Sequence, residues 1–288
     1  MVPAGIAVAA VAAIAFEVSY VLQALEARSA PKDSLPAKGL AALARRRRWL
    51  AGLALAVVGG ALQVLALRLA PLTVVQPALA LGIVALVAAG GRVLGEPASR
   101  TDVLAALALS GGIVLLGIAG SRLGTGAPSR AGTAIAVVAL GIPVVCAMVL
   151  RGAPPWLLLA AAGAGDVLAA IAAKRFADAW GSAPLLVSVG WVLLGAGGVA
   201  GALASEMSAL RTWPATRVGP FVVACQTAVP VLLAPVVAGE RWGPETPLVL
   251  VGLAIVVAAA SRLAISARLL EPRDEADHDV GGARKVAP

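Results

Sequence analysis

The sequence predicts an all-α, polytopic membrane protein of nine transmembrane helices, two four-helix halves around one linker helix in a 4+1+4 inverted repeat. Three observations lead there. The first is composition: 60% of the 288 residues are apolar and 13% charged, and mean hydropathy is +0.94, more apolar surface than a soluble fold of this length can hide. The second is a series of apolar runs of membrane-spanning length separated by polar or basic gaps. The third is internal duplication. Shifted by 143 positions, residues 61–77 lie over 204–220 with eight identities in seventeen positions, among them Arg68/Arg211, Pro71/Pro214, Thr73/Thr216 and Pro77/Pro220. Both copies then run apolar to a Gly-Glu pair, Gly95-Glu96 and Gly239-Glu240, and close on Ser121-Arg122-Leu123 and Ser261-Arg262-Leu263. Apolar bias alone does not make an arginine and two prolines recur in register.

Taken in order, residues 3–25 form the first run. It has no positive flank and is too long for the apolar core of a signal peptide, so it reads as a retained span. Residues 26–48 are polar and proline-broken, with a short surface helix predicted over 39–44 and four arginines at 45–48 that anchor topology. The next spans are 49–67, 72–94, 102–120 and 132–150, followed by 156–173, 184–207, 218–238 and 246–266. Residues 1–123 thus form the first repeat, 124–152 carry linker helix 5, and 153–270 form the second, inverted repeat. The charged tail 271–288, which holds the one histidine, His278, reads as disordered and cytoplasmic. Pro230 and Pro235 predict a kink in the eighth helix. Trp49, Trp156, Trp180, Trp213 and Trp242 fall near span ends as an aromatic belt, while Trp191, inside the seventh span, faces either lipid or a cavity.

Charge sets the orientation. With the N-terminus outside, seventeen of the 23 basic residues fall on the cytoplasmic side, so the chain is expected in the plasma membrane with its C-terminus inside. A single linker helix then makes the second copy enter upside down. Inverted repeats of this kind recur in secondary transporters, with the pathway near the bilayer midplane between them. The net charge of +8 lies in the gaps between spans, which excludes a nucleic-acid patch as its main reading. Cys146 and Cys225 follow no spacing motif and read as small core residues. No Walker loop, dinucleotide fingerprint, Ser/His/Asp order or metal-type Cys/His spacing occurs. Neither an enzyme, a cofactor nor direct ATP use is expected.

Carboxylates inside apolar spans cost about 2.5–3.5 kcal/mol on insertion scales and mark function by default. Glu17 in the first span and Asp166 in the sixth occupy corresponding positions of the repeats, Phe16-Glu17-Val18 against Gly165-Asp166-Val167. Facing each other across a pseudo-two-fold axis, they would bind a proton or a cation, and they are the candidate metal ligands. Glu206, near the inner end of the seventh span, falls at Gln63 when the copies are superposed and reads equally as the third candidate or as a snorkelling interfacial acid, with Gln63, Gln23 and Gln226 as polar companions. Gln23, Gln76, Ser188, Gln226 and Thr227 each read equally as cavity groups or as hydrogen-bonding glue between helices. Glu96 and Glu240 are expected to cap the helix that follows each, or to pair with loop arginines.

At these residues the chain resembles the drug/metabolite transporter superfamily and, within it, the branch of NIPA-type magnesium transporters. The resemblance rests on Gln63, Ala66, Ala70-Pro71, Thr73, Val75, Pro77 and Glu96, and on nine spans with a basic connection after the first. Ala15-Phe16-Glu17-Val18 is also similar to the motif around the buried, proton-coupling glutamate of the small multidrug-resistance branch. The resemblance implies a secondary transporter working by alternating access on a divalent cation such as magnesium, with Glu17 and Asp166 as coupling residues. Two other functions fit the sequence: a proton-coupled exporter of a small metabolite or cationic drug, and a non-transporting scaffold or lipid-binding subunit. Expected partners are a small solute or cation, protons and the lipid bilayer. Nucleic acid is not among them, and an oligomer is compatible with the sequence.

Overall fold

The computed structural model describes residues 2–28, 46–82, 100–120, 122–150, 153–209 and 215–269. Among these residues the chain is almost wholly helical: α1 Val2–Arg28, α2 Arg47–Leu69, α3 Leu72–Leu79, α4 Arg100–Gly120, α5 Arg130–Val149, α6 Pro155–Ala179, α7 Leu185–Ala209, α8 Ala215–Val237 and α9 Thr246–Leu269. A two-stranded ribbon joins β1, Gly124–Thr125, to β2, Glu240–Arg241. Seven helices, α1, α2, α4, α5, α6, α7 and α9, are long and apolar enough to cross a membrane. The later part of the expected third span, Gly95-Glu96, residues 29–45 with the expected surface helix, Trp213 and the tail 271–288 lie outside the described residues.

Helix ends follow local chemistry. The Ser129 side chain caps α5, its Oγ accepting from Gly132 N at 3.0 Å. Prolines at 154 and 155 start α6, where the missing N–H costs nothing. The expected sixth span stopped at 173, but α6 continues to Ala179. Its extra turns are held by Lys174, whose Nζ is 2.9 Å from Asp178 and donates to the Leu67 carbonyl of α2's last turn at 3.4 Å. Helix α8 runs unbroken through Pro230 and Pro235.

Contacts at helix ends show how the chain alternates. Gly5 of α1 lies against Ala70 after α2, and Gly120 at the end of α4 lies against Val74 of α3. The β1–β2 ribbon ties the α4–α5 connection to the α8–α9 connection. The Arg68 guanidinium at the end of α2 sits 5.6 Å over the ring of Trp180, beyond α6. At the other end, Arg262 Nη2 of α9 donates to Thr101 Oγ1 at the start of α4 at 3.0 Å. The described helices therefore run up and down in turn.

Small residues set the closest approaches. A Cβ at Gly59 of α2 would stand 3.0 Å from the Phe16 ring of α1, and one at Gly165 of α6 would stand 2.8 Å from Ala202 N of α7. These contacts correspond: 59 and 202 are 143 apart, and Phe16 pairs with Gly165 in the Glu17/Asp166 match. Helices α4 and α9 cross where Gly112 meets Gly252, 140 apart like the two Ser-Arg-Leu triplets. Among the seven span-length helices α6 is the most enclosed, 67% buried along its apolar window against 17% for α5 and α7. On α5, Ile135, Val138, Ile142, Val145 and Val149 are all exposed. At helical spacing they form one outward apolar stripe, suited to lipid rather than water.

Candidate functional site

The run Ala161-Ala162-Gly163-Ala164-Gly165 precedes Asp166 and lets two helices close on α6. Gly165 admits α7, and a Cβ at Gly163 would stand 2.9 Å from the Cβ of Cys225 on α8 and 3.1 Å from its Sγ. Half-buried Asp166 therefore lies between α7 and α8. Glu206, half-buried on α7, is the charge that acts on it, and the Cys225 thiol feels Asp166 in turn. Gln226 follows on α8, half-buried, and Thr227 is buried. Cys146 and Cys225 are free thiols and only partly buried, so neither is the core residue that the sequence suggests.

Glu17 stands elsewhere. It is half-buried on α1, and a Cβ at Gly82, just past α3, would stand 2.8 Å from its Cγ and 2.9 Å from the Ala13 carbonyl. Only a glycine leaves room for the acid there. Positions 82 and 225 are again 143 apart, so each acid faces the same place on corresponding helices. The charge acting on Asp166 is nevertheless Glu206 of its own half. Gln63, the counterpart of Glu206, is half-buried on α2, and the side chain of Gln23 lies outside the described residues. Among the described residues, no three His, Cys, Asp or Glu side chains come together as a metal cluster.

Two residues emerge with more weight than the sequence suggests. Gln76 of α3 is buried, and its Nε2 has no partner among the described residues. Such a group ordinarily points to a missing ligand or water. In the sequence it was one polar companion among several, because nothing local marks which face of α3 turns inward.

The other is Glu240, and here the expectation is corrected. Among the described residues it neither caps the following helix nor pairs with an arginine. Its Oε1 accepts from Leu72 N at 2.5 Å, and its Oε2 accepts from Thr73 N at 3.1 Å and Thr73 Oγ1 at 2.5 Å. The carboxylate, 5% exposed, thus caps α3 from across the chain, at the positive end of that helix. Gly239 makes this possible: its φ is +69°, and a Cβ there would strike the Gly126 carbonyl oxygen. The turn off α8 needs a glycine, and the residue after it is aimed under α3. Comparison of the chain with family models, curated proteins and solved structures yields no match.

Proposed function

We propose that this protein is a secondary transporter of the drug/metabolite transporter type, close to its NIPA-like magnesium branch. Its nine spans form a 4+1+4 inverted repeat, with the N-terminus outside and the C-terminus cytoplasmic in the plasma membrane. The carrying observation is the Asp166–Glu206 pair, two half-buried carboxylates inside membrane-length helices. An acid as deep as Asp166, mid-way along α6, is costly and marks an ion pathway, while Glu206 lies near the end of α7. The corresponding contacts of the two halves (Phe16 on Gly59 and Gly165 on Ala202, Glu17 by Gly82 and Asp166 by Cys225) support an alternating pair of repeats. Two carboxylates with amide companions suit a divalent cation that keeps most of its water, as magnesium does.

The electrostatic coupling of the two acids also favours a second reading. A carboxylate pair can exchange a proton against a small metabolite or organic cation. A liposome flux assay with magnesium, other divalent cations and amines, with and without a pH gradient, separates the two. Under the leading reading, magnesium flux falls at least tenfold in Asp166→Asn and in Glu206→Gln, and Glu17→Gln loses coupled transport while remaining folded. Wild-type flux in all three variants would remove the acids from the pathway. Amine flux that requires the pH gradient would select the exporter.

A further inference from the structure

Away from the carboxylates, α5, α6 and α7 enclose a cleft of about 530 Å³ lined by Arg130, Thr133, Arg175 and Trp191, with Val137 and Leu194 further in. Its polar groups share one level. Arg130 opens α5 and Thr133 lies about 5 Å along it, while Arg175 is about 6 Å before the end of α6, at 1.5 Å per residue. The apolar groups lie deeper: Val137 is about 10 Å into α5 and Leu194 about 13 Å into α7 by the same rise. Cations therefore sit at the depth of lipid headgroups, and apolar walls at the depth of acyl chains.

The polar groups are prepared for an anion. Thr133 is 6% exposed, and its Oγ1 has no partner among the described residues; Arg175 Nε is likewise buried without one. Trp191 fixes the Arg175 guanidinium, whose centre is 5.7 Å from its ring. The acid recorded beside Arg175 is Asp178, 3.8 Å away and held more closely by Lys174 at 2.9 Å. Among the described residues Arg130 thus has no acid beside it, and Arg175 shares Asp178 with Lys174. On either side the walls are apolar and outward-facing, with Ile135 68%, Leu185 80% and Leu186 83% exposed. The cleft opens between surfaces that suit lipid.

We propose that this cleft binds an anionic phospholipid. Its phosphate accepts hydrogen bonds from Arg130, Arg175 and Thr133 Oγ1, and an acyl chain lies along Val137 and Leu194. Guanidinium forks match phosphate oxygens, and the apolar walls below them distinguish a lipid from free phosphate.

The test is native mass spectrometry of the full chain in detergent, with phosphatidylglycerol and phosphatidylcholine of matched acyl chains. Wild type should retain phosphatidylglycerol selectively. Arg130→Gln or Arg175→Gln should weaken that binding about tenfold, the scale of one charge-assisted hydrogen bond, and Thr133→Val about threefold. Phosphatidylcholine binding should not change. Equal retention of the two lipids by wild type, or unchanged phosphatidylglycerol binding in the folded variants, overturns the proposal. Displacement of phosphatidylglycerol by glycerol phosphate would assign the cleft to a soluble anion and overturn the lipid. If the arginine variants do not fold, the near-isosteric Thr133→Val decides alone.

Discussion

The Gly239-Glu240 pair shows how much one residue can carry in a mostly apolar chain. Glu240 satisfies two amides of α3 and the hydroxyl of Thr73, groups that would otherwise lose hydrogen bonds out of water. Glu240→Gln keeps the shape but removes the charge, and should cost about 2–3 kcal/mol, the worth of charge-assisted bonds. Gly239→Ala meets both a left-handed backbone and the Gly126 carbonyl, and should cost at least about 1 kcal/mol. Thermal unfolding in detergent would measure both. A melting point unchanged in Glu240→Gln would mean that the cap contributes no stability. The recurrence of Gly-Glu was legible in the sequence and its partner was not, since Thr73 lies 167 positions away.

Between helices, packing is decided by glycine placement. Without a hydrophobic force to drive helices together in lipid, close backbone approach at small residues does the work. The crossing of α4 and α9 offers a paired test on neighbouring residues. A Cβ at Gly112 would stand 2.8 Å from Val256 Cγ2 and 3.1 Å from the Gly252 carbonyl, whereas one at Gly111 meets nothing within 4 Å. Gly112→Ala should therefore destabilise by about 1–3 kcal/mol through overpacking. Gly111→Ala should be neutral or stabilising by about 0.5–1 kcal/mol, because alanine favours the helix. Denaturant titration in mixed micelles separates them, and equal effects would contradict the crossing described here. The same logic explains the site: the Ala/Gly run before Asp166 brings α7 and α8 to it, and a bulky residue at Gly163 or Gly165 would open it.

Over the whole molecule, the N-terminus and the α2–α3, α4–α5, α6–α7 and α8–α9 connections gather at one end. In a variant lacking Cys146 and Cys225, cysteines at Ala127 and Ser182 should be labelled from the same side of the membrane, and one at Ala153 from the other. On the proposed orientation, with the excess of basic residues inside, the label at Ala153 should come from the cytoplasmic side. Labelling of all three from one side would break the alternation. Spans read from apolar length match the described helices at most boundaries, as 102–120 does with α4 Arg100–Gly120 and 246–266 with α9 Thr246–Leu269. Two ends depart: α3 stops at Leu79 inside the expected span 72–94, and α6 runs past 173 because Lys174 and Asp178, charged residues, close a tertiary contact with α2 instead of ending the helix.

The sequence by itself determined the features that live in one dimension. These are helix lengths, the up-and-down order, the duplication, and the placing of Glu17 and Asp166 at matching points in it. Tertiary structure alone decided that Asp166 feels the charge of Glu206, that Glu240 caps α3, that Gln76 is buried with an unsatisfied amide, and that Arg130, Arg175 and Trp191 share a cleft. The physical reason is that lipid and protein core are similarly apolar. A helix such as α7 therefore carries little hydrophobic contrast to say which face turns inward, and only the close contacts at Gly165, Gly198 and Ala202 set its rotation and so let the charge of its one acid act on Asp166.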